Sequence, residues 1–222
     1  MAHVSPAPED RQRAPSKRSL AARQRIFDAA EKLFAINGYD GTSVRDIAAG
    51  ASVPAASVLF HGASKEALFE AVVQRRADEI RRIRLDALEA AASGGKDLSV
   101  EDVLRACLMP LVDKAFNGGE QWLAYIRLIA IVSSDERWRD LSRTCFDPTA
   151  GPFIDALARM FPGASRGAIA AAYVFAISSA LSLCTAQWRI EALAAGRSAA
   201  DAAGLLIRYN AAGMQAVLAP GR

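Results

Sequence analysis

Residues 52–65 read SVPAASVLFHGASK, a run in which hydroxyl groups, one imidazole and one ammonium alternate with small side chains. The Ser57 hydroxyl could donate to a phosphate or a base edge. Ala55 and Ala56 could touch a thymine methyl and let the backbone approach closely. Just upstream, Thr42, Ser43 and Arg45 add two more hydroxyls and a guanidinium. Between Arg11 and Arg25 stand six basic residues (Arg11, Arg13, Lys17, Arg18, Arg23 and Arg25) and no acidic one. Such a block fits an anionic partner, a nucleic acid or a membrane surface. Its other reading is a solvated flexible tail.

Groups suited to bond-making chemistry are scarce. The two histidines are His3, near the N-terminus, and His61, so none lies in the larger C-terminal part to act as a base. No glycine-rich phosphate loop, nucleophile elbow or metal-ligand spacing is present in the sequence. The pair Asp135-Glu136 opens a predicted helix, where acidic residues stabilise the positive end of the dipole. Cys107, Cys145 and Cys184 are far apart and odd in number, which reads as three small core hydrophobes in a reducing cytoplasm. An enzyme is not expected, nor is a cofactor or a bound metal.

The elements that must position these residues are helical. Of the 222 residues, 52 % are hydrophobic but only 7 % aromatic, so alanine and the aliphatics carry the apolar fraction, and such composition favours helix. Residues 1–17, mixed Pro, Ser and Arg, read as a flexible basic arm with no apolar run of the kind a signal peptide carries. From Ser19 onward Ile26, Phe27, Ala30, Leu33 and Phe34 recur at three- and four-residue intervals, and Asn37-Gly38 stops that helix. Thr42 or Ser43 can cap a short second helix ending near Gly50, and Ser43 with Asp46 reads as a variant capping box. Pro54 suits the first turn of a third helix of about seven residues. Ser64 caps a long fourth helix running to about Ala92. Further helices are predicted at roughly 99–116, 120–133, 136–146, 150–160, 165–195 and 198–218. The fold class is all-α: a helix-turn-helix unit over 18–64, joined by the long helix to a larger domain over 65–222.

Three short packed helices behind a basic segment describe a unit whose third helix presents its N-terminal end to the major groove of DNA. The run RQRIFDAAEKLFAINGYDGTSVRDIAAGASVPAASVLFHGASKEALFEAV, from Arg23 to Val72, resembles the DNA-binding domain of TetR-type (TetR/AcrR) transcriptional regulators. The resemblance implies an all-helical homodimeric repressor with a ligand-responsive C-terminal domain. It places Thr42 and Arg45 near the DNA backbone, and Ala55, Ala56 and Ser57 facing bases or phosphates. Phe60 and His61 fall where the family carries aromatic or histidine residues, and Lys65 matches a phosphate-contacting basic residue. Arg23, Ser43 and Pro54 complete the expected DNA-facing set. Leu59 stands in place of the usual tyrosine, Gly62 in place of an aromatic that packs under the reading head, and Ser52 in place of the turn glycine. Fewer hydrogen-bond donors and a looser base for the third helix are therefore expected, with affinity leaning on the basic arm and a steep salt dependence.

In the larger part, Trp122, Tyr125, Ile126 and Ile129 recur at helical spacing, with Tyr173, Phe175, Phe146 and Phe153 elsewhere. Ordinary core is one reading. Lining of a hydrophobic effector site is the other, for which Leu108, Trp122, Tyr125, Ile126, Phe146 and Tyr173 are the candidates. Arg127 is either an anchor for an acidic group or a solvated side chain. Gly167 to Trp188 contains 22 residues without a charge, long enough to cross a bilayer. Its serines, threonine, glutamine and many alanines fit a buried helix better, and no membrane partner is expected. Small residues recur through the last two predicted helices, which are expected to form a homodimer. Expected partners are thus double-stranded DNA, a hydrophobic small molecule and a second copy of the chain. The rival reading is a helical small-molecule sensor or interaction protein whose DNA reader has degenerated.

Overall fold

The computed structural model describes residues 16–95, 97–195 and 201–219. The Ser16 side chain accepts a 3.2 Å hydrogen bond from the Ser19 amide and starts α1, Lys17–Asn37. Helix therefore begins two residues earlier than expected, and Lys17 belongs to it; residues 1–15 of the expected arm lie outside the described residues. Gly38, at φ 72°, ends α1 by donating its amide to the Phe34 carbonyl.

The predicted capping box is present: the Ser43 amide donates to Asp46 at 2.9 Å and the Asp46 amide to Ser43 Oγ at 3.1 Å, opening α2, Val44–Ala51. Ser52 then adopts the left-handed conformation, φ 52° and ψ 51°, that its glycine counterpart would adopt without strain. Pro54 lies one position outside the third helix, at φ −62° and ψ 146°, so α3 is Ala55–Gly62. Ser64 accepts from the Ala67 amide at 3.0 Å and starts α4, Lys65–Ala92.

The larger part comprises α5 (Val100–Asn117), α6 (Glu120–Ser134), a 3-10 turn (Glu136–Trp138), α7 (Arg139–Cys145), α8 (Asp147–Met160), α9 (Arg166–Thr185), α10 (Gln187–Leu193) and α11 (Ala202–Leu218). No strand occurs among the described residues. The helix expected over 136–146 is a 3-10 turn followed by α7. The next starts at Asp147 because Pro148 lies in its first turn, where the missing N–H is no loss. The helix expected over 165–195 breaks at Ala186, φ −126° and ψ 29°, into α9 and α10.

Two buried cores result. One gathers Ile26, Phe27, Phe34, Ile47, Val58, Leu68, Phe69 and Val72, and draws in Leu128, Val132, Trp138, Leu141 and Cys145 from α6, the 3-10 turn and α7. The other is built from Leu104, Leu108, Leu111, Tyr125, Ile126, Phe153, Leu157, Ile169, Ala176 and Ile207 among others. α4 runs from one to the other: Leu68 through Ala77 belong to the first, Ile80 to the second. Each fully buried aliphatic here contributes about 1.5–3 kcal/mol relative to exposure. α9 is long and apolar enough to cross a bilayer, but one side of it packs on α5, α6, α8 and α11.

Candidate nucleic-acid surface and cavity

α3 stands on α4 by very close packing. Gly62 is buried, and a β-carbon there would lie 2.9 Å from Leu68 Cβ. The looser base expected from the missing aromatic is thus not found: Leu68 fills that space. With Val58 also buried, Ala55, Ala56, Leu59 and Phe60 are left exposed, Phe60 to 80 %. Ser57 and His61 are partly exposed, and the Phe60 and His61 rings meet edge to face at 5.0 Å. The exposed side of α3 is therefore a short apolar ridge with one hydroxyl and one imidazole.

Around this ridge, Ser43 and Arg45 are exposed at the start of α2, and Pro54 is exposed at the start of α3. Lys65 holds its ammonium 4.2 Å from the Tyr39 ring centre, and Arg23 its guanidinium 4.6 Å from that of Phe27. Both cations lie against aromatic faces, and neither forms an ion pair among the described residues. Thr42 departs from expectation. It is 1 % exposed, and its hydroxyl donates to the Leu33 and Gly38 carbonyls at 3.2 and 2.8 Å. Its side chain ties down the end of α1 and is not free for a phosphate.

A buried ionic clasp joins α1 to α4. Glu31 is wholly buried and accepts from Arg75 at 2.7 Å and from Arg76 at 2.7 and 3.0 Å. Arg75 also reaches Asp28 at 2.8 Å. Nearby, Tyr39, Phe69 and Trp138 form a cluster with ring centres 4.4–5.4 Å apart, and Arg137 reaches from the 3-10 turn to Asp40 at 3.0 Å. The helix-turn-helix unit is thereby fastened both to α4 and to the turn beyond α6.

A cavity of about 280 Å³ lies between α4, α6, α7, α8 and α9. Ala77, Ile80 and Arg84 of α4 form one wall, facing Leu111, Ile129, Phe146, Ile154, Tyr173 and Ile177. Serines 133, 142 and 178, Cys145, Thr149 and Asp147 are among the remaining lining residues. Of the residues expected to line an effector site, Phe146 and Tyr173 are among the residues lining this cavity. Leu108, Trp122, Tyr125 and Ile126 are not; they are buried core side chains. Trp122 is sandwiched instead by Arg76 and Lys114, at 4.9 and 4.4 Å. Arg127 is partly exposed and does not line the cavity.

The lining residue missed from the sequence is Arg84. It is 7 % exposed, and its Nη2 donates to Cys107 Sγ at 2.9 Å and to the Tyr173 hydroxyl at 3.0 Å. Its guanidinium carbon lies 5.2 Å from the Phe153 ring centre, and its Nε is buried without a partner. Burial raises the pKa of the Tyr173 hydroxyl, so that group stays neutral. The available signal was its position: four residues after Ile80 and seven after Ala77, Arg84 falls on the buried stripe of α4. Burial also pushes the Cys145 thiol up to about 11.

Comparison with known proteins places these features. The model of bacterial regulatory proteins of the tetR family matches residues 26–72, and that of the tetracyclin repressor-like C-terminal domain matches residues 105–213. None of the curated proteins compared matches the chain. Similar solved structures include a tetR family transcription regulator from Shewanella sp. PV-4, 18 % identical, covering 90 % of this chain and 99 % of its own, with TM-score 0.64. A TetR-like transcriptional regulator from Rhodococcus sp. RHA1 is 18 % identical over 91 % of this chain and 98 % of its own, with TM-score 0.58. The multidrug binding protein EbrR complexed with imidazole is 21 % identical over 94 % and 98 %, with TM-score 0.55. At these identities the structures establish the fold. The two matched regions, one for the DNA-binding end and one for the C-terminal helices, together span more than two thirds of the sequence, and the chain belongs to the tetR family of bacterial regulatory proteins.

Proposed function

We propose that the protein is a homodimeric transcriptional repressor that holds a near-palindromic operator through α3 and releases it when a largely apolar small molecule fills the cavity. One observation carries this reading. The cavity lies at the seam of the two cores: Ala77 and Cys145 line it and also belong to the core beneath the DNA-facing helices. A ligand pressing on α4 there acts on the helix that grips α1 through Glu31. Ligand shifts the population only by its differential affinity for the two states.

The DNA-facing set is Arg23, Ser43, Arg45, Pro54, Ala55, Ala56, Ser57, Phe60, His61 and Lys65. Dimerisation uses α9 and α11, whose exposed Val174, Phe175, Leu205, Tyr209 and Val217 leave apolar surface open to water. The two reading heads then lie about 34–36 Å apart, one DNA turn. The association of the fold-relative EbrR with imidazole and, in a second structure, malachite green supports a cavity that takes small organic molecules.

Selection from random duplexes tests the DNA half: enrichment of an inverted repeat supports the regulator. Uniformly weak binding to all duplexes supports the second reading, a sensor with a degenerate reader. That reading is favoured by one feature, the scarcity of side-chain donors on α3.

A further inference from the structure

We infer that the effector is an apolar monocarboxylic acid whose carboxylate is received by Arg84 inside the cavity. This rests on the reading of the cavity as the effector site. Arg84 is a permanent cation whose surroundings hold no carboxylate: Cys107 Sγ, the Tyr173 hydroxyl and the Phe153 ring. No carboxylate lies within 4.0 Å of its guanidinium among the described residues, Nε is buried and unpaired, and the bonds to Cys107 and Tyr173 both use Nη2. Arg75 and Arg76, the partly buried arginines that clasp α4 to α1, share the carboxylate of Glu31.

A buried charge without a carboxylate partner is expensive, and a well-packed apolar residue of similar volume generally serves stability as well or better. A structural role therefore accounts poorly for arginine at this position. Recognition accounts for it directly, because a carboxylate supplies the missing counter-charge and the missing acceptor.

The rest of the lining sets the ligand's class. Arg84 is the only cationic side chain among the lining residues, which suits one negative charge rather than two. Ala77, Ile80, Leu111, Ile129, Phe146, Ile154 and Ile177 supply an apolar surround for the body of the molecule. Asp147, the only acidic lining residue, is exposed, and its carboxylate disfavours a second anionic group near the solvent side. At about 280 Å³ the cavity is small, matching a compact aryl or acyl acid.

The test uses the full-length protein and matched probes: 4-phenylbutanoate against 4-phenylbutanamide, and octanoate against octanamide, by titration calorimetry. The acids are expected to bind about 10- to 100-fold more tightly than their amides, the range for a hydrogen bond to a charged group. Arg84→Met should erase that preference, bringing acid and amide affinities to within about threefold of each other, and Arg84→Lys should retain part of it. Amides binding as tightly as acids would overturn the carboxylate assignment while leaving the cavity reading intact. If neither acids nor amides bind, the effector-site reading itself fails. Should Arg84→Met not fold, the acid-to-amide ratio of the unaltered protein decides alone.

Discussion

Single side chains divide here into those that hold the scaffold and those left free to act, and burial with hydrogen bonding tells them apart. Thr42 is the clearest case. Replacing it by valine keeps the shape but removes the donor from the Leu33 and Gly38 carbonyls. Urea denaturation should show a loss of about 1–2 kcal/mol. Arg45, exposed beside the α3 ridge, should behave oppositely. Arg45→Ala should leave stability within about 0.5 kcal/mol and reduce the salt slope of operator binding by about 1. Cys145 reports on the cavity. With its thiol pushed up to about 11 by burial, little thiolate exists at neutral pH. Iodoacetamide should therefore label it slowly at pH 7, about tenfold faster for each pH unit up to about 11, and more slowly again when a cavity ligand is bound. Rapid labelling at pH 7 that a ligand leaves unchanged would contradict the placement of this thiol.

At the scale of the helix, local signals set most boundaries correctly because they are local in cause. Ser43-Asp46, Ser64 and Gly38 announce ends of helices through bonds within a few residues, and each is found where the sequence places it. What sequence could not convey was the filling of space between helices. The absent aromatic at Gly62 reads as a deficit until Leu68 is seen occupying its volume. Gly62→Ala should push α3 away from α4 and cost about 1–3 kcal/mol, visible as a lowered urea midpoint together with weakened operator binding. Ser52→Gly should do the reverse: relief of left-handed strain worth about 1 kcal/mol, partly offset by greater unfolded-state freedom, raises stability without touching the ridge. The aromatic spacing on α6 was equally legible and equally ambiguous. Trp122, Tyr125 and Ile126 do lie at helical intervals, but of that stripe only Ile129 lines the cavity between α4, α6, α7, α8 and α9. Periodicity identifies a buried face; it does not say whether protein or ligand covers it.

For the whole molecule the question is how a filled cavity reaches the DNA-facing helices, and the Glu31 clasp supplies the shortest route. Arg75 and Arg76 leave α4 one turn or less from Ala77, a cavity wall, and converge on Glu31 of α1. A tilt or slide of α4 forced by ligand is thereby passed to α1, and through α1 to α2 and α3. Glu31→Gln removes the shared counter-charge. Because Arg75 and Arg76 remain partly solvated, the loss should be about 2–4 kcal/mol, toward or below the lower end for breaking a buried pair. The functional consequence is separable from that cost. In the native protein saturating ligand should weaken operator binding by a factor within the usual 5- to 150-fold range of allosteric coupling. In Glu31→Gln the same ligand should bind within about threefold of its native affinity, since Glu31 is not a cavity residue, while the coupling factor falls toward one. Glu120→Gln provides the contrast. Its ion pair with Lys32 also bridges α1 to the larger part, but lies in solvent, with the Glu120 side chain 86 % exposed, where water and salt screen it. It should leave the coupling factor unchanged. If the two substitutions alter coupling equally, transmission runs through the general packing of α1 on α6, and the clasp is structural only.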